Sequence, residues 1–175
     1  MTALPTTVFT TNQDLDPARL REAFGIFPTG VVAVAAEVDG QLLGLAASSF
    51  TSVSLDPPLV SVSLAVTSKT WPDLRRAGHL GVTILAEHHN VVCRQLAGPV
   101  EHRFDAITHA VTEHGAVTLV DGLAQFDCTI YQEVEAGDHI LILLRLHAVQ
   151  HVDAASSWTP LVFHRSSFGT LQPLD

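Results

Sequence analysis

Hydroxyl side chains are concentrated in one short stretch of the chain, GLAASSFTSVSLDPPLV at residues 44–60. Buried hydroxyls need hydrogen-bond partners, because an unpaired polar group destabilises a folded core. The small residues Ala46 and Ala47 precede the hydroxyls and allow a flat ligand to approach the backbone closely. The stretch indicates either a strand with a solvated polar face or a site that offers N–H and hydroxyl groups to a heteroaromatic ring. The hydroxyls are those of Ser48, Ser49, Thr51, Ser52 and Ser54.

A second polar segment, TSKT at residues 67–70, lies at the start of a short helix predicted over residues 68–77. The free N–H groups and the positive dipole end of a helix start favour a bound anion. Lys69 is the only lysine in the chain, and in an acidic protein this makes it a candidate phosphate ligand. The alternative is an ordinary helix cap followed by a solvated lysine.

A third candidate is Gly137-Asp138-His139, between two apolar segments. Asp and Gly are common in hairpin turns for conformational reasons alone. His139 could instead orient a substrate amide or a pyrophosphate. The other nine histidines form no HxH or HExxH pattern, so we predict no metal site. The absence of GxSxG, GxGxxG and GxxxxGK[ST] argues against a serine hydrolase, a Rossmann fold and a P-loop.

The charge balance excludes one class of function. Eighteen acidic residues against nine basic ones give a net charge of −9, the wrong sign for general nucleic-acid binding. We find no signal peptide and no apolar run of membrane-spanning length. The two cysteines, Cys93 and Cys128, form no CxxC pair, which fits a reducing cytoplasm. We therefore expect a cytoplasmic protein without nucleic-acid or membrane partners.

The elements that position these residues are mostly strands. Strands outnumber helices and are not joined in a regular βαβ rhythm, which favours a mostly antiparallel barrel with short helices. We expect residues 1–15 to form a flexible arm and residues 16–175 to form a single domain. The predicted helices cover residues 16–24, 68–77 and 87–97, and the predicted strands cover residues 31–38, 41–49, 59–65, 79–85, 123–133, 140–149 and 161–164.

Seven short motifs in this order resemble the short-chain flavin reductases, which are the reductase components of two-component flavin-dependent monooxygenases. The resemblance extends from about Leu20 to Leu171. It implies a flavin reductase-like split β-barrel that forms a homodimer, with the flavin in a groove near the subunit interface. The motifs are FPTGV (27–31), GLAASSFTSVSLDPPLVSVSL (44–64), SKTWPDL (68–74), RFDAI (103–107), DGLAQFDC (121–128), AGDHILILLRL (136–146) and LVFHRSSFGTL (161–171).

The resemblance also assigns cofactor-binding residues by position. It implies that the isoalloxazine ring is lined by Thr29, Gly30, Ala47, Ser48 and Ser49, with Ser63 beneath the ribityl chain. It implies that Ser68, Lys69 and Thr70 hold the flavin phosphate, with Arg103 and Phe104 by the phosphate or adenosine end. His139 and Phe168 are expected at the nicotinamide nucleotide. Phe168 stands where the family often has the tyrosine of Arg-Gly-x-Tyr, so no tail hydroxyl is available at that position.

The implied activity is an NAD(P)H-dependent flavin reductase. It would transfer hydride from NADH or NADPH to non-covalently bound FMN or FAD. The reduced flavin would then diffuse to a separate monooxygenase. We name no catalytic acid or base, because the main task is to position two rings. The alternatives are a non-catalytic flavin-binding split barrel, a split-barrel oxidase acting directly on a small substrate, and a β-barrel interaction domain without a ligand.

Overall fold

Antiparallel strands make up most of the structure, a computed structural model that describes residues 15–153 and 157–172. The predicted N-terminal arm therefore lies outside the described residues except for Leu15. Among the described residues, no helix is long and apolar enough to cross a membrane. The helices are α1 (Pro17–Phe24), α2 (Trp71–Leu74) and α3 (Asn90–Leu96), with 3₁₀ turns at Glu87–His89 and Val100–His102. The strands are β1 (Thr29–Gly30), β2 (Val32–Val38), β3 (Gln41–Ala47), β4 (Thr51–Leu55), β5 (Pro58–Ala65), β6 (Leu80–Ile84), β7 (His109–Val111), β8 (Val117–Leu119), β9 (Ala124–Ala136), β10 (His139–His151), β11 (Val162–His164) and β12 (Ser167–Gly169).

Seven strands form the main sheet, in the order β3-β2-β6-β9-β10-β5-β4. Every pairing between these strands is antiparallel, as the sequence predicts. The two edge strands, β3 and β4, are consecutive in the chain, so the short link at residues 48–50 connects opposite edges of the sheet. A small three-stranded sheet, β1-β11-β12, lies beside it.

Local chemistry explains the elements that the sequence predicts well. The Asp16 side chain accepts a hydrogen bond from the Arg19 N–H at 2.9 Å and caps α1, which ends before Gly25 as expected. Asp39 and Gly40 have φ values of 51° and 76°, the left-handed conformation that a two-residue hairpin turn requires. These local signals determine the β2–β3 hairpin, whose second strand leads to the hydroxyl run.

Several predicted boundaries were wrong. The helix predicted over 68–77 is only α2, because residues 68–70 form the turn that precedes it. The predicted second helix begins as a 3₁₀ turn. The β9–β10 loop is a two-residue turn, since cross-strand pairing continues to Ala136 and His139. Strands β1, β4, β7, β8 and β12 were not predicted, because short strands depend on partners elsewhere in the chain.

Two clusters of buried residues form the core. The larger lies against the main sheet and includes Val34, Val82 and Ile142, all fully buried. The smaller lies under α3 and includes Leu96 and Leu161. Partly buried Phe163 and Phe168 pack against the smaller cluster, which connects this part of the core to the candidate site.

Candidate functional site

The Ser49 hydroxyl is used inside the protein. The Ser63 N–H donates to Ser49 Oγ at 2.9 Å, and the Ser49 hydroxyl donates to the Ser63 carbonyl at 2.9 Å. Ser49 Oγ thus makes the two hydrogen bonds to the Ser63 backbone that a neighbouring strand would otherwise make, just beyond the end of the β4–β5 pairing. The Ser49 side chain links the 48–50 segment to β5. The contact with the isoalloxazine ring that we expect of Ser49 would therefore be made by its backbone.

Ser48 is exposed, and its hydroxyl forms no hydrogen bond within the described part of the chain. It lines two connected clefts. One has a volume of about 610 Å³, and we call it the wide cleft. The other has a volume of about 170 Å³, and we call it the narrow cleft. The wide cleft is lined by Arg21, Phe24, Phe27, Thr29, Ser48, Phe163 and Arg165, among others. The narrow cleft is lined by Val31, Ala46, Ala47, Ser48, Cys93, Ala97, Phe163 and Phe168.

Thr29 and Gly30 lie beside Phe163, as the β1–β11 register requires. The Thr29 hydroxyl is 3.5 Å from the Phe163 carbonyl, a long and weak hydrogen bond. A Cβ added at Gly30 would meet no atom within 4 Å, so this strand faces open space. The structure therefore brings Thr29 together with Ser48, two of the predicted ring-lining residues, in the wide cleft.

Phe168 lies in the narrow cleft. Its ring centroid is 5.5 Å from that of Phe163, and the Arg94 guanidinium carbon lies 5.5 Å from the Phe168 centroid. Cys93 lies in the same cleft, and burial raises the pKa of its thiol, which stays neutral near pH 7. The narrow cleft is thus an apolar slot with aromatic walls, smaller than the usual size of a ligand pocket.

The predicted phosphate segment is supported by Arg103. One guanidinium nitrogen of Arg103 donates to Thr70 Oγ1 and to the Gly44 carbonyl, both at 2.7 Å, and Nε donates to the Gly98 carbonyl at 2.9 Å. Burial lowers the pKa of Arg103, but a guanidinium stays charged under ordinary conditions. Because Thr70 accepts from Arg103, its hydroxyl proton is left to donate to a ligand.

The rest of the segment fits the same role. Ser68 Oγ accepts the Trp71 N–H at 3.2 Å and so caps the first turn of α2. Lys69 is exposed, and its ammonium makes no hydrogen bond or ion pair within the described residues. The segment therefore has one exposed cation, Lys69, and a partly buried cation, Arg103, that is hydrogen-bonded to Thr70.

Phe104 and Arg103 both contact Gly44 on β3. A Cβ added at Gly44 would lie 2.7 Å from Phe104 Cζ, so the ring packs directly on the β3 backbone. Phe104 also lines a groove of about 610 Å³ with residues 40–43, Val100, Glu101 and Asp105. Arg103 thus connects Gly44 to Thr70 of the phosphate segment, whereas Phe104 packs on Gly44 and lines the groove beside β3.

The His139 turn adjoins the phosphate segment. His139 pairs with Ala65, and the Val66 N–H donates to the Asp138 carbonyl at 3.0 Å. His139 Nδ1 lies 2.7 Å from Asp138 Oδ1, and this hydrogen bond is the main reason why the pKa of Asp138 is lowered. The positive charge of Arg21 contributes to the same shift. His139 therefore lies beside the end of β5, which leads to the phosphate segment.

Comparison with known proteins identifies the family. Residues 24–172 match the flavin reductase like domain. This chain belongs to the flavin reductase-like family. The match covers most of the chain and confirms the resemblance in the sequence motifs.

Relatives of this flavin reductase-like chain include both reductases and monooxygenase components. The chain is 35% identical over 156 residues to a flavin reductase of Pseudomonas putida, covering 89% of this chain and 90% of that protein. It is 45% identical over 126 residues, 71% of this chain, to the reductase component of the flavin-dependent trigonelline monooxygenase of Acinetobacter baylyi, of which it covers 40%. The chain spans less than half the length of two of the curated relatives that it matches.

A solved structure has the same fold. The NADH:FAD oxidoreductase of Streptomyces globisporus, in complex with NAD and FAD fragments, has a TM-score of 0.84 and 27% sequence identity to this chain. The alignment covers 95% of this chain and 98% of that one. The mostly β architecture with short helices is therefore shared with a flavin reductase.

This flavin reductase-like chain also contains a histidine cluster that the sequence did not predict. The potential metal-ligand atoms of His88, His89 and Asp121 lie within 4.8 Å of one another. However, His89 Nδ1 accepts the Ala86 N–H at 3.1 Å, so in the neutral ring Nε2 carries the proton and offers no lone pair. Burial lowers the pKa of His89 and favours this neutral form. The geometry does not support a metal site there.

Several residues of the wide cleft were not predicted from the sequence. Arg21, Phe24 and Phe27 lie on or just after α1, where a surface helix gives no motif. Phe163 and Arg165 lie within a matched motif, but nothing in their spacing indicates that they face α1. The exposed aromatic residues at the end of a short polar helix were the one signal that could have identified this surface.

Proposed function

We propose that this chain is an NAD(P)H-dependent flavin reductase. The observation that carries the proposal is that Ser48, the first residue of the hydroxyl run, lines both aromatic-walled clefts in a flavin reductase-like fold. Bound flavin would supply the N5 position that accepts the hydride from C4 of the nicotinamide. The chain's own task is to hold the two rings at about 3–3.5 Å, so we assign no catalytic acid or base.

The ring end of the site is suited to a flavin. The backbone N–H groups of Ser48 and Ser49 form no backbone hydrogen bond within the described residues. These donors, with the Ser48 hydroxyl, can bind the acceptors of a pyrimidine edge and stabilise the negative charge that reduction adds. Gly30 and buried Ala47 leave room for a flat ring.

The phosphate end follows from the same geometry. Ser49 contacts Ser63 on β5, and β5 leads within a few residues to Ser68. A ribityl chain that runs along this strand brings a phosphate to Lys69 and Thr70. We propose that the Thr70 hydroxyl, held by Arg103, donates to that phosphate and that Lys69 adds a flexible charge.

We propose that the fold is a split barrel and that two copies form a homodimer. The edge strands β3 and β4 are consecutive in the chain, and the Ser49–Ser63 hydrogen bonds tie the link between them to β5; both features support closure of the main sheet on itself. Exposed apolar side chains on the same sheet support a partner surface: Leu55 is 96% exposed and Val53 is 49% exposed. The molar mass in solution, measured by light scattering, tests the dimer.

We propose that a separate flavin-dependent monooxygenase uses the reduced flavin. The likeness to a monooxygenase reductase component supports this partner. The protein has a net charge of −9, which opposes tight retention of a product that gains negative charge. The two free cysteines fit a cytoplasmic location.

Two experiments test this function. The purified protein with FMN or FAD, air and NADH or NADPH should consume the nicotinamide steadily, as followed by its absorbance. A flavin-binding protein without catalysis, or an oxidase that needs another substrate, leaves the nicotinamide unchanged. In the second experiment, a membrane permeable only to small molecules separates this protein from a flavin-dependent monooxygenase at low oxygen. Hydroxylated product on the far side supports diffusion, and product formed only when the proteins can touch contradicts it.

A further inference from the structure

The Gln95 side chain, in the last turn of α3, holds the turn of residues 102–105 that carries Arg103. Its amide nitrogen donates to the carbonyls of His102 at 2.9 Å, Arg103 at 3.3 Å and Asp105 at 2.8 Å. All three partners are acceptors, so the amide must present its NH₂ group to this turn. An NH₂ group has two hydrogens, and therefore one of them is shared between two carbonyls. One side chain thus restrains three backbone groups of the turn.

The turn needs this restraint because its own backbone hydrogen bonds are long. The N–H groups of Arg103 and Asp105 donate to the carbonyls three residues earlier at 3.4 and 3.3 Å. Both distances are longer than the roughly 2.9–3.0 Å of an ordinary N–H···O bond. Ala106, the next residue, has a φ of 57°, a left-handed conformation that is unfavourable for a residue with a Cβ atom. The conformation of the turn therefore depends on the shorter hydrogen bonds that Gln95 donates.

The position of this turn decides what the Arg103 guanidinium can reach. Its Nε donates to the Gly98 carbonyl at 2.9 Å, and one terminal nitrogen donates to the Gly44 carbonyl and to Thr70 Oγ1, both at 2.7 Å. Gly98 lies two residues beyond α3, and its N–H donates to the Gln95 carbonyl at 2.9 Å. The end of α3 therefore restrains Arg103 at its backbone, through the Gln95 amide, and at its side chain, through the Gly98 carbonyl.

We propose that Gln95 is a positioning residue for flavin phosphate binding: its amide holds the turn in the place from which Arg103 orients the Thr70 hydroxyl. Gln95 lines neither cleft, nor the groove beside β3, so it acts through Arg103 and not by contact with the flavin. This inference rests on the proposed function and on the phosphate segment. A half-buried neutral side chain thus controls how strongly the protein distinguishes a flavin with a phosphate from a flavin without one.

The test compares FMN with riboflavin, which has the same ring system and ribityl chain but no phosphate. Gln95→Met removes the amide donors and preserves the length of the side chain, and Gln95→Glu places a carboxylate against three carbonyls. The control is Gln125→Met, since the Gln125 amide also donates to a loop carbonyl, that of Val120 at 3.0 Å. The other side-chain partner of Gln125 is the Thr118 hydroxyl, so this variant leaves the contacts of the Arg103 turn intact. Fluorescence quenching, measured well below the Tm of each variant, gives the Kd for both flavins.

We expect the Kd for FMN to rise about five- to tenfold in Gln95→Met and at least as much in Gln95→Glu, while the Kd for riboflavin stays within about twofold of wild type. KM for FMN should rise in parallel, with kcat and KM for NADH nearly unchanged, because the ring site is intact. In Gln125→Met the preference for FMN should equal that of wild type even if its Tm falls. In an Arg103→Gln background, Gln95→Met should change the Kd for FMN less than it does in wild type, since both substitutions act on one contact.

Four results overturn the inference. They are an equal loss of affinity for FMN and riboflavin, a wild-type preference for FMN in both Gln95 variants, a loss of that preference in Gln125→Met, and an effect of Gln95→Met that is undiminished in the Arg103→Gln background. Wild-type protein that binds FMN no better than riboflavin contradicts the phosphate segment, and this inference with it. Wild-type protein that binds FMN but does not oxidise NADH contradicts the proposed reductase function alone, because the two affinities still test the role of Gln95.

Discussion

The adjacent residues Ser48 and Ser49 should have separable roles, and alanine substitution at each tests this. In Ser49→Ala, the Ser63 N–H and carbonyl both lose their partner, an oxygen at 2.9 Å. An unsatisfied buried group costs about 1–3 kcal/mol, and water can reach this partly buried position, so we take the lower end for each. The free energy of unfolding should fall by about 2 kcal/mol, which lowers Tm by about 4–8 °C in a chain of this size.

Ser48→Ala is the matched control. Its exposed hydroxyl makes no hydrogen bond within the described residues, so the apoprotein should melt at the wild-type temperature. It should bind flavin about two- to tenfold more weakly, the value of one neutral hydrogen bond. Flavin affinity of Ser49→Ala, measured well below its Tm, should stay close to wild type.

The assays are thermal unfolding of the flavin-free proteins and flavin titration followed by fluorescence quenching. The reasoning is refuted if Ser49→Ala melts within about 1 °C of wild type, since a lost pair of hydrogen bonds must exceed that shift. It is also refuted if Ser49→Ala loses flavin affinity while Ser48→Ala does not. That result would place the Ser49 hydroxyl at the ring.

Three further predictions address other parts of the molecule. Lys69→Ala should weaken flavin binding about tenfold or more by equilibrium titration while the rate of hydride transfer at saturating flavin changes little, and normal affinity would remove Lys69 from the phosphate site. His139→Ala should raise KM for the nicotinamide substrate while flavin affinity stays near normal; an unchanged KM with a lower Tm would mean that His139 only ends the hairpin. Burial lowers the pKa of His89 below its unfolded value of 6.5, so between these two values the unfolded chain binds more protons and the stability falls as the pH falls. In His89→Gln, the unfolding free energy should therefore vary less with pH below pH 6.5 than in wild type, and an unchanged slope in denaturant titrations would contradict this.

The sequence alone determined the elements whose signals lie within a few residues. Asp16 before Pro17 predicts the start of α1, and Asp39-Gly40 predicts the β2–β3 turn, because capping and left-handed turn conformations depend on adjacent residues. The family was also evident from ordered motifs. The antiparallel character followed from the lack of a βαβ rhythm. These features need no knowledge of distant contacts.

The roles of individual polar groups were decided only by the tertiary structure. Ser49 is bonded to Ser63 rather than to open space, and the Arg103 guanidinium reaches Gly44 across 59 residues of sequence and Thr70 across 33. Which hydroxyl is satisfied internally depends on the strand that the folded sheet places beside it. Identical residue types in one run therefore divide into hydroxyls bonded inside the protein, such as that of Ser49, and exposed ones, such as that of Ser48, in a way that local sequence does not encode.

The wide cleft is the strongest case. Arg21 and Arg165 are separated by most of the chain and meet only because α1 ends at the Gly25 carbonyl that receives the Arg165 N–H. Phe24 and Phe27 lie beside them because the three-stranded sheet packs next to the same helix end. A sequence fixes which residues are charged or aromatic. The positions where such residues converge depend on long-range backbone pairing, which is set by the packing of the whole core.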